Sequence, residues 1–220
     1  MRLSKRLQTI HDMVKPGGIV ADIGCDHALL PIALIESHTC DKAYACDVNE
    51  GPLKRAKEAI AEANKTAQII PLLCDGLEGL NDDVTTVVIA GMGYDTITHI
   101  LGSQLDKAKS YQQIIIQCNN HVTKLRQWLH EHGFAIDAEQ LVKEHHYYQM
   151  ISVHAGEQEM QEDQYMFGIY LDYHPLFRPY WEFQLHKQKK ILERLHPEHE
   201  SYAKTKNTII KIKTKLKELC

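Results

Sequence analysis

The chain has 220 residues and a mass of 25.2 kDa, which suits one substantial domain with an appendage better than two full domains. Hydrophobic residues make up 44% and charged residues 25%, a balance that excludes a largely disordered chain, a collagen-like repeat and an integral membrane protein. The net charge is −4, but residues 1–175 carry −10 (14 Lys/Arg against 24 Asp/Glu) and residues 176–220 carry +6 (11 against 5), which indicates a polyanionic partner for the tail.

Strand and helix patterns alternate over the first 155 residues. The predicted elements are a helix over 4–13, a strand over 19–24, a helix over 27–37, a strand over 43–48, a helix over 52–64, a strand over 68–76, a strand over 85–93, a helix over 95–109, a strand over 113–119 and a helix over 122–133. Residues 134–155 follow without a helix and predict an antiparallel pair at the sheet edge. Apolar strands alternating with helices predict an α/β fold with a parallel, doubly wound sheet and right-handed connections.

After Gly156 the pattern changes. A polar linker over 157–175 leads into two apolar stripes at heptad-like spacing, separated by Pro197. The stripes comprise Trp181, Leu185, Gln188, Leu192 and Leu195, then Tyr202, Thr205, Ile209, Ile212, Leu216 and Leu219. This spacing predicts an antiparallel helical hairpin, a coiled coil that pairs within or between chains. We therefore expect a domain over 1–156 and a helical domain over 157–220.

The first fifteen residues, MRLSKRLQTIHDMVK, lack the apolar core of a secretory signal, so we expect a cytoplasmic protein. No apolar run approaches the ~20 residues of a membrane span, and we expect neither a membrane contact nor an obligate protein partner. The six cysteines include no C-x-x-C pair and are typical of small apolar residues in a reducing compartment. Histidine is frequent, but pairs such as His145 and His146 lack further ligands at metal-binding spacing, so we expect no metal.

In an open parallel sheet the ligand binds beyond the carboxyl ends of the strands. Carboxylates, glycines or amides occupy these ends here: Asp22-Ile23-Gly24-Cys25-Asp26, Asp47, Asp75-Gly76, Gly91-Met92-Gly93 and Gln117-Cys118-Asn119-Asn120. Two cofactor classes compete for such a site. A dinucleotide fold requires G-x-G-x-x-G, but Asp26 stands at the second glycine position, where a carboxylate would repel a pyrophosphate.

S-adenosylmethionine (SAM) has no phosphate and carries a cationic sulfonium, so acidic residues on the first turn suit it better. Asp47, at the end of the second strand, is placed to accept both ribose hydroxyls, and Asp75, at the end of the third, to receive the adenine N6 hydrogens. The pattern therefore favours SAM over NAD. The simpler alternative is that Gly24 makes an ordinary turn and Asp26 caps the following helix.

Several motifs resemble the bacterial tRNA (adenine-22-N1)-methyltransferase family, TrmK. They are LSKRLQTI (3–10), VADIGCDHALLP (20–31), DVNEGPLKRA (47–56), CDGLEGL (74–80), IAGMG (89–93) and HVTKLRQWLHEHGF (121–134). The chain departs from the family pattern where Tyr94 follows Gly93, where Cys118 replaces a proline, and where Cys25 replaces a frequent serine.

The resemblance implies a Rossmann-like class I SAM-dependent methyltransferase domain followed by a C-terminal helical, coiled-coil domain, with SAM as cofactor and tRNA as partner. It implies N1-methyladenosine at position 22 of tRNA as the product. The candidate cofactor residues at the strand ends are Asp22, Gly24, Asp47, Val48, Asp75, Gly76 and Gly91. Arg6 matches the family's S-x-R-L opening, and the alternatives for it are to bind the SAM carboxylate, to cap the site or simply to be exposed.

N1 of neutral adenine already carries a lone pair, so no base is needed to create the nucleophile, and the ring gains positive charge as the methyl arrives. A carboxylate at the ring edge can orient N6 and stabilise that charge. Asp26, which matches the family's D-H-A aspartate, is the catalytic candidate.

Because N1 lies on the Watson–Crick edge, the base must leave its pairing to react. Tyr94 is a candidate for stacking on it, and Asn119 and Asn120 are candidates for reading it. Each has a plainer alternative, as a surface tyrosine at a helix start and as a turn pair. Two other functions stay open at this point: SAM-dependent methylation of another RNA or a small molecule, and non-catalytic RNA binding.

Overall fold

The structure describes residues 3–219 of the chain in a computed structural model. The helices are α1 (Lys5–Met13), α2 (Leu29–Glu36), α3 (Glu50–Glu62), α4 (Tyr94–Ser103), α5 (Leu105–Ser110), α6 (Val122–Glu131), α7 (Glu162–Phe167), α8 (Phe177–Arg194) and α9 (Glu200–Glu218). The strands are β1 (Ile19–Ile23), β2 (Lys42–Asp47), β3 (Ile69–Leu73), β4 (Thr86–Met92), β5 (Gln113–Cys118), β6 (Phe134–Lys143) and β7 (Tyr147–Ala155). The predicted order of elements is confirmed up to residue 155.

The strands form one seven-stranded sheet in the order β3-β2-β1-β4-β5-β7-β6. Strands β1 to β5 are parallel, and β7 pairs antiparallel with both β5 and β6. The predicted antiparallel pair at the sheet edge is therefore confirmed, with β6 outermost. The strand order reverses between β1 and β4, and this reversal is where an open α/β sheet forms its ligand crevice.

Apolar side chains cover both faces of the sheet. Helices α1, α2 and α3 close one face through Ile10, Leu34 and Ile60, each at most 1% exposed. Helices α4 and α6 close the other through residues such as Ile97 and Leu125, both fully buried. The continuous apolar runs of the central strands follow from this burial on two sides.

One predicted helix is interrupted. Over residues 95–109 the structure has α4 and α5, separated at Gln104, whose φ of −136° and ψ of 55° lie outside the helical region. Apolar residues continue on both sides, so the pattern alone reads as one helix.

Residues 157–171 pack on the sheet instead of forming the predicted linker. Arg126 and Glu139 form a fully buried ion pair, with Arg126 Nε donating to Glu139 Oε1 at 2.7 Å. Glu139 Oε2 accepts the backbone N–H of Ile169 at 2.6 Å, and Arg126 Nη1 donates to the carbonyl of Tyr165. These bonds tie the segment and its short helix α7 to the first unit. Along the chain, the boundary between the two compact units therefore falls between Leu171 and Asp172, not at the expected position 156/157.

The second unit contains the helical hairpin of α8 and α9. Trp181 of α8 and Ile209, Ile212 and Leu216 of α9 are buried, as the stripes predict. Arg178 Nη2 near the start of α8 donates to the carbonyl of Leu216 near the end of α9 at 3.1 Å, so the helices run antiparallel. Within residues 3–219, no helix is long and apolar enough to cross a bilayer.

Candidate active site

Two buried carboxylates lie at neighbouring strand ends beside the reversal of strand order. Asp22 on β1 is 7% exposed and Asp47 at the end of β2 is 8% exposed. The loop after β1 is fixed against β2, because the backbone N–H groups of Gly24 and Cys25 both donate to the carbonyl of Cys46, at 2.8 and 2.9 Å. This pairing sets the two acidic strand ends side by side.

Gly24, just after β1, adopts a backbone conformation that favours glycine. Its φ is +77°, and a Cβ there would lie 2.5 Å from the Met92 Cε. A residue with a side chain would therefore be strained at position 24 by its backbone conformation, whereas the Met92 methyl group, at the end of a flexible side chain, could move aside.

The Asp22 carboxyl is electrostatically unusual. Burial raises its pKa to about 7, the Arg6 guanidinium acts in the opposite direction, and the neighbouring charge of Asp47 raises the pKa further. No hydrogen bond from a side chain in residues 3–219 reaches this carboxylate. A buried acceptor of this kind favours a cationic or hydrogen-donating ligand.

Asp47 also has spare accepting capacity. Its Oδ1 accepts the backbone N–H of Asn49 at 2.9 Å, and its other oxygen has no hydrogen-bond donor in the described chain. Two exposed apolar side chains flank Asp47: Val48, the next residue, is 58% exposed, and Leu73, its partner on β3, is 50% exposed. Asp75 is exposed on the following loop, and Gly76 beside it is buried.

These residues fit SAM. The free oxygen of Asp47 can accept hydrogen bonds from a ribose diol, and the exposed side chains of Val48 and Leu73 can pack on the faces of adenine. The buried Asp22 carboxylate, which accepts no side-chain hydrogen bond, suits a cationic group. The first loop at this edge departs from the motif that holds a pyrophosphate, since Asp26 occupies its second glycine position.

A hydrogen-bond network joins α1 to the ends of β4 and β5 through Gln117, which is fully buried. Gln117 Oε1 accepts from Arg6 Nη1 at 2.8 Å and from the Gly91 N–H at 3.1 Å, while its Nε2 donates to Asn119 Oδ1 at 3.0 Å. Asn119 Nδ2 in turn donates to the carbonyl of Gly91 at 2.7 Å. Gly91, with a φ of +81°, is the backbone position that these side chains hold.

The loop that leads into α4 is held in a similar way. Asn120 Oδ1 accepts the backbone N–H of Tyr94 at 2.8 Å, at the first residue of α4. Cys118 Sγ donates to the carbonyl of Asn120 at 2.9 Å. The Tyr94 ring is half-buried and meets the His121 ring edge-on, with the centroids 6.4 Å apart.

Asp26 lies on the loop after β1, with a φ of +45°, and its side chain is 57% exposed. Arg55 of α3 donates to Asp26 Oδ1, from Nη2 at 2.6 Å and from Nε at 3.1 Å. His27 Nε2 lies 3.6 Å from the other oxygen, Oδ2. The N-cap of α2 is Ala28, with no side-chain hydrogen bond to the cap, so the alternative that Asp26 caps this helix is wrong.

Comparison with known proteins identifies the family of this chain. Residues 3–151 match the family described as a methyltransferase domain. The tRNA (adenine(22)-N(1))-methyltransferase of Bacillus subtilis (strain 168) is 33% identical over 165 residues, which cover 74% of this chain and 69% of that protein. The chain belongs to the tRNA (adenine(22)-N(1))-methyltransferase family.

Solved structures of similar proteins agree over the whole length of this methyltransferase. M. capricolum TrmK, solved in complex with the cofactor product S-adenosyl-homocysteine, has a TM-score of 0.89 and 30% identity, with both chains fully covered. Streptococcus pneumoniae Sp1610, in complex with S-adenosyl-L-methionine, has a TM-score of 0.90 and 33% identity, covering 98% of this chain and all of its own. The match includes the C-terminal helices, because the coverage extends past residue 171.

Three contacts of this methyltransferase domain were not anticipated from its sequence. The sequence marks Gln117 only as part of a strand end, although a polar residue after three isoleucines in a buried strand is a usable signal. Arg55 of α3 lies 29 residues from Asp26 in the sequence, and the residues around it give no indication of this contact. Tyr148 of β7 lies under the Arg6 guanidinium, 5.7 Å from ring centroid to Cζ, a contact that depends on the register of β7.

Proposed function

We propose that this protein transfers the methyl group of SAM to N1 of adenosine 22 in tRNA. The observation that carries the proposal is a pair of buried carboxylates, Asp22 and Asp47, at the strand ends of a chain that belongs to this family. Each has an oxygen that receives no hydrogen bond from the described chain. The B. subtilis relative supports the choice of nucleotide, since its name specifies adenine 22 and N1.

The chain's own residues divide the work of holding SAM, whose sulfonium supplies an electrophilic methyl group. Asp47 would accept hydrogen bonds from the ribose hydroxyls, Val48 would pack against the adenine, and Asp75 would accept from its N6. Arg6 would pair with the carboxylate of the methionine moiety, and Asp22 would accept from its ammonium group. Gly24, Gly76 and Gly91, each with a positive φ, would let the backbone approach the cofactor.

Asp26 is the catalytic residue in this proposal. Both Arg55 donors bind Oδ1, and the other oxygen, Oδ2, has His27 Nε2 at 3.6 Å, beyond hydrogen-bond distance, so it could accept a hydrogen bond from the N6 amino group of the target adenine. That bond would orient N1, and the negative charge would stabilise the cationic ring as the methyl is transferred. No proton has to leave N1 before the attack, so the residue acts through position and charge.

Tyr94 and the two asparagines complete the substrate side. Tyr94 is held at the N-terminus of α4 by Asn120 and would stack on the unpaired adenine. Asn119 and Asn120 are exposed, but their amides also brace the loops around Gly91 and Tyr94. Their contribution to base recognition is therefore tied to the shape of these loops.

The C-terminal unit would contact the tRNA backbone. Its second helix carries exposed lysines outside the buried stripe of Ile209, Ile212 and Leu216: Lys204, Lys206, Lys213 and Lys217. Because residues 1–175 carry a net −10, attraction of a polyanion has to come from local cationic surfaces such as this one.

The proposal is tested by product analysis. The protein is incubated with methyl-labelled SAM and a tRNA that has adenosine at position 22, and the digested nucleosides are identified. We expect labelled N1-methyladenosine, and none with a matched tRNA that has guanosine at position 22. Label in a different nucleoside, or equal label in the matched tRNA, would favour methylation of another site, and binding of tRNA without transfer would favour a non-catalytic protein.

A further inference from the structure

The β6–β7 turn projects beyond the edge of the sheet where the active site lies. Gln117, one residue before the end of β5, is paired with Met150 of β7, whereas β7 begins three residues earlier, at Tyr147. Tyr147 is in turn paired with Lys143, the last residue of β6. At about 3.4 Å per residue, the two strands carry the turn about 10 Å past Gln117.

The turn therefore borders one side of the site, and Arg6 connects it to the site residues. Arg6, which donates to Gln117, lies against the Tyr148 ring at 5.7 Å. The backbone N–H of Arg6 donates to Glu144 Oε1 at 3.3 Å. One residue of α1 thus contacts the end of β5 and two residues of the turn.

The side chains of the turn present cationic and aromatic groups to solvent. Lys143, His145 and His146 are exposed, and Lys143 Nζ lies 5.0 Å from the centroid of the Tyr147 ring. The His146 ring meets the Tyr148 ring edge-on at 6.4 Å. The one acidic residue of the turn, Glu144, is half-buried and directed to the first turn of α1.

This combination fits RNA. A lysine attracts phosphates, and tyrosine and histidine rings stack on bases that are not paired. A base that reacts at N1 has left its pair, so its neighbours on the strand are exposed at the same place. The surrounding unit is acidic, and Lys143 places a positive charge beside the site, while the Glu144 carboxylate is turned toward the backbone N–H of Arg6.

We propose that the β6–β7 turn, residues 143–148, is a contact surface for the tRNA strand next to the target adenosine. The inference rests on the proposed function for the identity of the RNA. It assigns to the turn a role in binding the substrate strand, separate from cofactor binding and from the methyl transfer step.

The test compares two matched double variants. Lys143→Ala/His145→Asn removes exposed groups of the turn, and Lys65→Ala/His38→Asn removes a lysine and a histidine from loops at the opposite, amino edge of the sheet. Asparagine is used at position 38 because His38 has a φ of +57°, which asparagine tolerates. Affinity for labelled tRNA is measured by fluorescence anisotropy across a salt series, with SAM affinity measured by calorimetry, and KM and kcat for methyl transfer are determined alongside.

For the turn variant we expect affinity for tRNA to fall, and KM to rise, by about fivefold or more, with kcat and SAM affinity unchanged. The slope of log affinity against log salt should flatten by about 0.7 for the lost phosphate contact, and the control variant should match the wild type. A turn variant that binds tRNA like the control overturns the proposal. If the wild type made no N1-methyladenosine, the proposed function would fail, and anisotropy would still decide whether the turn binds tRNA.

Discussion

Arg55 donates two hydrogen bonds to one oxygen of the Asp26 carboxylate, Oδ1, at 2.6 and 3.1 Å. Both side chains are about half exposed, 47% and 57%, so the pair contributes little to the stability of the fold. Its effect is on geometry, since it fixes the carboxylate on the loop after β1 and leaves Oδ2 outside the pair. We therefore expect Asp26→Ala to remain folded, since the left-handed φ of +45° adds only about 1 kcal/mol of strain for alanine.

Replacing Asp26 by alanine should impair methyl transfer far more than binding. Loss of a preorganised carboxylate beside a developing charge typically lowers a rate by about 10²–10³-fold. We expect a fall of this size in the single-turnover rate, with SAM affinity within about twofold of wild type. Arg55→Met, which leaves the carboxylate but removes its partner, is the matched variant and should lose less. A near wild-type rate for Asp26→Ala would exclude a catalytic role.

Replacing Asp47 by alanine should weaken the binding of SAM. The loss of a charged acceptor for the ribose hydroxyls costs about 1.5–3 kcal/mol, which corresponds to roughly ten- to hundredfold in affinity. Calorimetry with SAM measures the change. Asp41→Ala, just before the other end of β2, removes an exposed carboxylate and should leave the affinity unchanged. Unchanged affinity in a folded Asp47→Ala protein would remove Asp47 from the cofactor site.

The acidic strand ends could be predicted because local signals mark them. IVADIG and AYACDV are short apolar runs that end in a glycine or a carboxylate, and parallel strands bring such ends to one edge. The heptad-like stripes of the tail are equally local, and their buried residues match the spacing. In both cases burial imposes a pattern on neighbouring residues, a continuous apolar run in the strands and a heptad-like period in the helices, and a single sequence reveals either pattern.

The contacts between distant segments could not be predicted in this way. The placement of Arg55 against Asp26 depends on the positive φ of Asp26 and on how α3 packs. The attachment of residues 157–171 depends on the buried pair of Arg126 and Glu139, whose carboxylate binds the backbone of Ile169. The polar composition of that segment resembles a linker. The segment is held in part through its backbone groups, which bind the buried ions Arg126 and Glu139, and this attachment leaves no signal in its own side chains.

The stability of the protein without SAM should depend on pH through Asp22. Burial raises the pKa of the Asp22 carboxyl in the folded protein to about 7, well above its ordinary value of about 4, so the folded state holds the proton more tightly than the unfolded chain. Stability should therefore fall as the pH rises from about 4 to 7 and level off above that. Asp22→Asn should remove this loss and stabilise the protein by about 2–4 kcal/mol at pH 8 but not at pH 4. Urea unfolding at both pH values measures this, and an equal effect at the two would contradict it.

Breaking the buried ion pair should destabilise the first unit strongly. Arg126 and Glu139 are both fully buried, and removing one partner of such a pair typically costs about 3–5 kcal/mol, because the other charge is left unpaired. We expect Arg126→Met to reduce the free energy of unfolding by this amount in chemical denaturation. Lys42→Met, which breaks the partly exposed pair with Asp83, should cost far less, because solvent screens an exposed pair. Similar costs for the two variants would contradict this role for Arg126.

Neutralising the exposed lysines of α9 should weaken tRNA binding and its salt dependence together. The variant replaces Lys204, Lys206, Lys213 and Lys217 by glutamine and retains Lys215, whose Nζ binds Asp172 Oδ2 at 2.7 Å within the same unit. Each lost phosphate contact flattens the slope of log affinity against log salt by about 0.7–0.9, so four contacts would flatten it by about 3. Anisotropy with labelled tRNA over a salt series gives this slope.

The matched control replaces the same four lysines by arginine, which retains the charge and the helix propensity. It should bind tRNA with the wild-type slope, whereas the glutamine variant should not, and both should bind SAM like the wild type because Asp22 and Asp47 are unchanged. Since these positions are exposed and the buried stripe of Ile209, Ile212 and Leu216 is retained, circular dichroism should show the same helix content in all three proteins. If the glutamine variant kept the wild-type slope, the lysines would be an ordinary solvated face, and the hairpin would serve assembly or stability rather than tRNA binding.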